Sequence, residues 1–322
     1  MTSANVRFPP IPNGVDYLVS VVELLSGDMN DPNPRDFKYA VLHLQAASEV
    51  LLKSRLQIEH WTLVVKDATK TNETRYRKGD FESTTHSETM RRLVDVVGID
   101  ISDGDKRALQ SLAKTRNSLQ HWGLTESVVA IETRAADVLD FLIRFLDEYL
   151  LAALTEDELA EIEDDMRRVR EGLTGIKSFT KSRMERLRSE LEYAAEYTVQ
   201  CPDCGQFALV IDGGEGKCHF CGRLREGGEL AEDYAFEILH FSWHDVKEGA
   251  DPIVVECPSC DLETLVLGAV TAAQSHGPVK FCFNCAESFH DLDSCTRCGR
   301  PYMRTDGSVI CGHCWNDLIN SD

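Results

Sequence analysis

Two groups of residues have types and spacings that could do chemistry: the hexapeptide Arg116-Asn117-Ser118-Leu119-Gln120-His121, and twelve cysteines arranged in six C-x-x-C pairs. An imidazole, with an ordinary pKa near 6.5, gives or takes a proton at neutral pH. A guanidinium holds two phosphate oxygens in a planar fork. Together they could take the proton from an RNA 2′-hydroxyl, stabilise charge on the phosphorane and protonate the departing 5′-oxygen. The product would be a 2′,3′-cyclic phosphate, and DNA, lacking the 2′-hydroxyl, would not be cut. One chain offers one such histidine, so a second copy would let one imidazole act as base and the other as acid. On an ideal helix Asn117 and His121 share a face while Arg116 lies about 140° from His121. Arg116 must therefore swing, or meet the histidine of another copy.

The bare pattern Arg-x4-His is weak, since composition alone yields roughly 0.7 copies by chance, and roughly 0.02 once Asn is required after the Arg. Read without context, His121 caps a helix C-terminus, where imidazolium is favoured, and Arg116 is a solvated surface residue.

The cysteine pattern is far more specific. Each C-x-x-C turns two thiolates toward one point, and two pairs complete the tetrahedral shell that zinc prefers. Taken in order, Cys201 and Cys204 join Cys218 and Cys221, Cys257 and Cys260 join Cys282 and Cys285, and Cys295 and Cys298 join Cys311 and Cys314. Cross-bracing of the last four pairs, with Cys257 and Cys260 joining Cys295 and Cys298, is the alternative. Gly205, Gly222 and Gly299 each follow the second cysteine of a pair, where a tight turn asks for positive φ. Three structural zinc ions are the expected cofactors, and they would supply much of the folding free energy of lobes too small to bury a core. Disulfides fit poorly, because the N-terminus MTSANVRFPPIPNGVD has neither the basic start nor the apolar core of a secretion signal, and the expected location is the cytoplasm. Redox chemistry would call for one C-x-x-C beside a βαβ pattern rather than six matched pairs.

The elements that must position the hexapeptide read as a helical bundle. Val15, Leu18, Val22 and Leu25 form a stripe in a helix that Gly27 can end. Asn33 is a good N-cap before Pro34, and the helix it opens runs to about His60. Phe37, Val41, Leu44, Ala47, Leu51, Leu52 and Leu56 face its core, with Lys38, Glu49, Lys53 and Arg55 on the wet side. Residues 66–89 lack periodicity and read as a long loop. Its basic residues Lys66, Lys70, Arg75, Arg77 and Lys78, with Arg91 and Arg92 beyond, are candidates for RNA phosphate contacts, a merely solvated loop being the alternative. A helix from about Asp105 to Trp122 carries the hexapeptide near its end. Thr125 then caps a last helix with Val128, Ala135, Leu139, Leu142 and Leu146 inside. His43, His60 and His86 read as bundle or loop residues.

Beyond the bundle, Thr155 and Glu158 form a capping box. Leu159, Ile162, Met166, Val169, Leu173 and Ile176 follow on heptad spacing, Gly172 and Gly175 interrupt it, and Met184, Leu187, Leu191 and Ala194 resume the phase. A dimerising stalk and a hairpin packed on its own chain both fit. The expected architecture is a mainly α bundle at 1–152, a helical connector at 153–200, and small α+β zinc-ribbon lobes at 201–226, 257–290 and 291–322, with a second connector at 227–256.

The composition of the 322 residues, 43% hydrophobic and 27% charged, is that of a globular protein. The longest apolar run, Tyr149 to Leu154, is far below the roughly 18 residues of a membrane span, so no membrane partner is expected. The net charge of −20 is uneven, residues 201–322 holding 8 basic against 20 acidic residues. A phosphate backbone would be repelled there on average, which favours a protein partner, a tether or a self-contact for the zinc lobes. Arg223, Arg225, Arg297, Arg300 and Arg304 could form a local exception.

Over about residues 10–150 the chain resembles the HEPN superfamily of helical-bundle proteins, many of them ribonucleases. The resemblance rests on the helix KYAVLHLQAASEVLLKSRL and on RNSLQH, and is closest to bacterial members with C-terminal zinc ribbons. It implies metal-independent RNA cleavage in which Arg116 and His121, with Asn117 at the polar position after the Arg, face their counterparts across a homodimer. It also implies a role in defence, stress response or toxin-like RNA cleavage. A related motif ends His-x-Tyr; Gly123 stands where that Tyr would be, so regulation by a partner nucleotidyltransferase is not implied. The second reading is a non-catalytic adaptor that binds RNA or protein through the bundle and recruits a partner through the zinc lobes. A metal-dependent nuclease ranks third, because no acidic cluster beside the motif offers a divalent site.

Overall fold

The computed structural model describes residues 7–27, 32–247, 249–274, 277–304 and 307–319, and the chain divides after Arg183 into two compact units. The first six residues of the segment read for a secretion signal lie outside the described residues. No helix among the described residues is long and apolar enough to cross a membrane.

The first unit is helical. Helix α1, Pro10–Ser26, ends at Gly27 with φ 69° as expected, but starts five residues before Val15, where its apolar stripe begins, because Pro10 is tolerated in a first helical turn. Helix α2, Pro34–Glu59, opens with Asn33 accepting from Arg35 N while Asp36 accepts from Asn33 N. All seven residues expected inside α2 are buried. Its expected wet side is wet only at Lys38, for Glu49, Lys53 and Arg55 are half-buried. The reason is that α2 is central: Ser83 accepts from Lys53 Nζ at 3.1 Å, and Arg116 approaches Glu49.

Residues 66–89 are not a long loop. They fold as short capped pieces: a 3-10 turn at Ala68–Lys70, helix α3 at Glu73–Arg77 under an Asn72 cap, and helix α4 at His86–Arg92 under a Thr85 cap. A bridge between Val65 and Ser83 and tilted ring contacts of Tyr76 with Trp61 and Phe81 tie them down. Pieces of three to seven residues cannot display a hydrophobic period, so the side-chain caps were the only legible signal.

Helix α5, Asp103–His121, is capped by Ser102 and carries the hexapeptide at its C-terminal end. Helix α6, Val128–Phe145, is capped by Ser127, whose hydroxyl accepts from Ala130 N, rather than by Thr125. Helices α7, Glu156–Leu173, and α8, Lys177–Tyr193, follow, with the Thr155–Glu158 capping box in place. Ile162, Met166, Val169, Leu173 and Ile176 are buried, and α7 packs on α1. A Cβ at Gly172 would lie 2.8 Å from Val22, and one at Gly175 2.6 Å from the Ser26 Cβ. These glycines therefore mark the place where α7 and the turn after it meet α1 at backbone distance, and the heptad seam closes inside its own chain. Arg183, buried on α8, bonds the Asp140 carboxylate of α6 at 2.5 Å. Arg144 of α6 reaches Asp105 of α5 at 2.8 Å. Residues 153–183 thus belong to the helical unit and are not a connector.

The second unit is built on the cysteine turns. Strands β1 (Thr198–Gln200), β2 (Phe207–Asp212), β3 (Glu215–Cys218) and β4 (Leu224–Glu226) form an antiparallel meander. Strands β5 (Val254–Glu256), β6 (Glu263–Ala269), β7 (Val279–Cys282) and β8 (Ser288–Phe289) form a second one. The two share a register: Val199 pairs with Leu209 and Leu209 with Cys218, as Val255 pairs with Leu265 and Leu265 with Cys282, each with a register shift before the first cysteine turn. They are two copies of one ribbon. Helix α9 (Gly227–Asp233) follows β4 and leads to Tyr234, whose ring lies 5.1 Å from that of Phe283 and whose hydroxyl accepts from Val270 N. Ala272 N donates to Thr198 O, joining the ribbons. The stretch expected as a second connector, which also holds helix α10 (Trp243–Lys247), is therefore partly core. The last lobe is smaller, with strands β9 (Leu292–Ser294) and β10 (Pro301–Met303) and helix α11 (Gly312–Ile319).

Candidate functional site

The cysteines gather as three groups of four in consecutive order, the sulfurs of each group lying within 4.8 Å of one another. The cross-braced alternative is excluded. Paired sulfurs stand 3.9 Å apart for Cys201 and Cys221, 3.7 Å for Cys204 and Cys218, 3.8 Å for Cys257 and Cys285, and 3.7 Å for both Cys260–Cys282 and Cys298–Cys311. A disulfide would bring them to about 2.05 Å. A tetrahedral ion with bonds of about 2.3 Å to sulfur sets its ligands about 3.8 Å apart. The groups fit a metal ion.

Local backbone chemistry explains why the pairs converge. In all six, the residue after the second cysteine donates its N–H to the carbonyl of the first, closing a tight turn. Gly205, Gly222 and Gly299 have φ of 69°, 77° and 76° there, and in the middle lobe Asp261 and Ala286 adopt the same left-handed conformation. Backbone amides also aim at sulfur: Cys221 N at Cys218, Ser259 N at Cys257, Cys285 N at Cys282 and Cys314 N at Cys311. Such bonds spread thiolate charge and orient the ligands. The sixth pair makes the same bond, Trp315 N donating to Cys311 O, in a helical setting at the start of α11.

The arginines that could have given these lobes a basic face are engaged. Arg223 and Arg225 pair with Asp203, and Arg225 also with Asp233. Arg300 pairs with Glu256, Arg304 with Asp293, and Arg297 donates to Cys314 O.

In the helical unit, Leu109, Leu112 and Thr115 turn α5 toward the core. Asn117 and His121 are exposed and Arg116 is half-buried. The Arg116 guanidinium donates to Asn117 Oδ1 at 2.9 Å and lies 3.8 Å from the Glu49 carboxylate of α2. The His121 side chain makes no hydrogen bond or ion pair among the described residues. The helix geometry thus brings Arg116 and Asn117 together but leaves His121 on an open face of the same helix end, next to Trp122, which is 91% exposed.

His86, read from sequence as an ordinary bundle or loop residue, stands at the start of α4 with both ring nitrogens buried and without a hydrogen-bond partner. Burial pushes its pKa down, Glu49 pushes it up and Lys53 pushes it down. It lines a cavity of about 290 Å³ with Ser87, Met90, Arg91, Lys106 and Gln110. Neither Glu49 nor His86 nor Trp122 carries a motif; adjacency in the fold alone reveals them.

The basic candidates for phosphate contact divide. Lys66 pairs with Glu82, Lys70 with Asp67, Arg75 with Asp80 and Arg77 with Glu73. Arg92 is a structural clamp, donating to the carbonyls of Leu63 and Val65 at 2.8 Å while pairing with Glu88. Lys78 is exposed with no ion pair among the described residues, and Arg91 only grazes Glu88 at 3.9 Å.

Compared with known protein families, with curated proteins and with solved structures, the chain matches none of them.

Proposed function

We propose that the chain is a metal-independent endoribonuclease, that its helical unit cuts RNA with Arg116 and His121 in a site shared between two copies, and that its three groups of four cysteines hold zinc. The observation that carries the reading is the state of the motif. A guanidinium braced by Asn117 and Glu49 stands five residues along α5 and about 140° around it from an exposed imidazole with no competing partner among the described residues, as two copies facing one another would need. In that role Arg116 holds two phosphate oxygens and stabilises the dianionic phosphorane. His121 of one copy takes the 2′-hydroxyl proton as the 2′-oxygen attacks phosphorus. The 5′-oxygen bond breaks, and a second imidazole, from the other copy, protonates the leaving oxygen. Asn117 keeps the guanidinium from turning away.

Zinc is the assignment for the cysteine groups because closed shells of four thiolates with amide-to-sulfur bonds suit a redox-inert structural ion. Twelve thiols kept unoxidised for metal suit the cytoplasm. The lobes' acidic charge and engaged arginines favour a protein partner over RNA at that end.

The test is cleavage of a defined RNA by the purified full chain, beside the same RNA carrying one 2′-deoxy sugar at the mapped cut. Loss of that single cut is expected. Cutting at the deoxy position defeats the mechanism, and RNA bound but never cut, with His121→Ala binding unchanged, selects the adaptor.

A further inference from the structure

We infer that the substrate is single-stranded RNA lying along the open face of α5, with one unpaired base stacked on Trp122. The inference deepens the proposed function and rests on it only for the cutting step.

Residues 106–125 hold Lys106, Arg107, Lys114 and Arg116 and no acidic residue, in a chain of net charge −20. Opposite the core-facing Leu109, Leu112 and Thr115, the residues Lys106, Gln110, Lys114, Asn117 and His121 fall within an arc of about 80°. They span about 22 Å of helix axis. One edge of the helix is therefore a polar track that several nucleotides could follow, basic from Lys114 onward, while Lys106 at its start pairs with Asp103 at 3.5 Å, an ion pair a phosphate would have to displace. At its upstream end lies the cavity lined by His86, Ser87, Arg91, Lys106 and Gln110. The His86 ring borders it with both ring nitrogens buried, so the side chains that face a ligand there are Ser87, Arg91, Lys106 and Gln110. Asp95 also borders the cavity and is the one carboxylate on its rim.

At the downstream end stands Trp122. Its side chain makes no ring contact among the described residues, while its backbone N–H donates to Ser118 O at 2.9 Å, which anchors the residue at the helix end, and Gly123 follows with φ 83°. An indole that is 91% exposed at the residue next to the exposed imidazole offers a stacking platform, and an unpaired base presents the flat face such a platform takes. Bases stacked within a duplex do not.

The experiment uses the full chain and a short single-stranded RNA made uncleavable by 2′-O-methyl groups, with its duplex as comparison. Single-strand binding is expected to be the tighter. Trp122→Ala should weaken it about tenfold and Trp122→Phe only slightly. Lys106→Gln and Lys114→Gln should each flatten the dependence on salt by about one unit of slope. Equal binding of duplex and single strand, unchanged binding by Trp122→Ala, or a change of oligomeric state in Trp122→Ala measured by light scattering would each overturn the inference, the last by making the indole an interface residue. Because the probe lacks a free 2′-hydroxyl, its binding through Trp122 would stand even if no RNA were ever cut. Cutting that is indifferent to Trp122 would leave the nuclease reading intact and remove this one.

Discussion

The Arg116 guanidinium and the Glu49 carboxylate approach to 3.8 Å across the contact of α5 with α2, and the same carboxylate acts on the buried imidazole of His86. Both partners of the ion pair are about one-third exposed, so solvent screens it and its loss should cost at most about 1 kcal/mol of stability. Its effect on chemistry should be larger. Glu49→Gln is expected to leave the thermal midpoint nearly unchanged while lowering kcat/KM on RNA about tenfold, because Arg116 loses one of its two braces. A large fall in melting temperature with activity unchanged per folded molecule would assign Glu49 to the scaffold alone.

Arg183 and Asp140 form a contact of the other kind, 4% and 14% exposed. Removing one member of a buried pair typically costs about 3–5 kcal/mol where the other charge is left alone; here Arg144 stays 3.4 Å from Asp140, which puts the cost at the low end. Arg183→Ala should therefore destabilise the helical unit by about 3 kcal/mol in urea unfolding and free α8 from α6. A change below about 1 kcal/mol would show that Arg144 and water together satisfy Asp140 without Arg183.

Asp137 lines a groove of about 560 Å³ between α5 and α6 with Arg107, Ser111, Thr133 and Arg134. Its pKa is raised by burial first, then by Asp140 and Asp105. A carboxyl whose folded pKa exceeds its unfolded value contributes stability that is full below the unfolded value and lost as pH rises through the folded one. Asp137→Asn should thus raise the melting temperature at neutral pH and lose that advantage in acid below the ordinary carboxylate range. Glu126 is the converse: its pKa is lowered by Arg134, so its contribution is present at neutral pH and lost on acidification. A stabilisation by Asp137→Asn that persists unchanged into acid contradicts the assignment.

Metal analysis of the full chain should return about three ions, one for each group of four cysteines. The last lobe has the least other support, its buried cluster being Cys295, Tyr302, Cys311 and Cys314 with Ile310 against it. The middle ribbon adds Leu265 and Phe289. Under a graded chelator the first ion to leave should come from the last lobe, with proteolytic cleavage appearing after about residue 291. Cys311→Ser should lower the count to about two. Simultaneous loss of all three ions would show that the lobes unfold as one.

What could be read before folding follows from how local each cause is. Asn33, Pro34 and Gly27 act within one turn of their own backbone, so the ends of α1 and α2 were legible, and the C-x-x-C turns are local for the same reason. The heptad seam of α7 was legible as a seam but not as to its partner. Only the close approach at Gly172 and Gly175 identifies α1, and those glycines looked like interruptions. The duplication of the ribbon was hidden because the second copy has a longer hairpin and puts Asp261 and Ala286 where the first has glycine. Glu49 and His86 carry no local signal at all, since their importance lies in what α5 brings beside them.

Shared catalysis by Arg116 and His121 is most directly tested by the ends left on RNA by the full chain, with Arg116→Ala and His121→Ala assayed beside it. The unaltered protein should leave 2′,3′-cyclic phosphate and 5′-hydroxyl ends, and each variant should lose at least about a hundredfold in rate, within the usual range for general acid–base catalysis. Ends carrying 5′-phosphate, or cleavage that persists in His121→Ala, would contradict it.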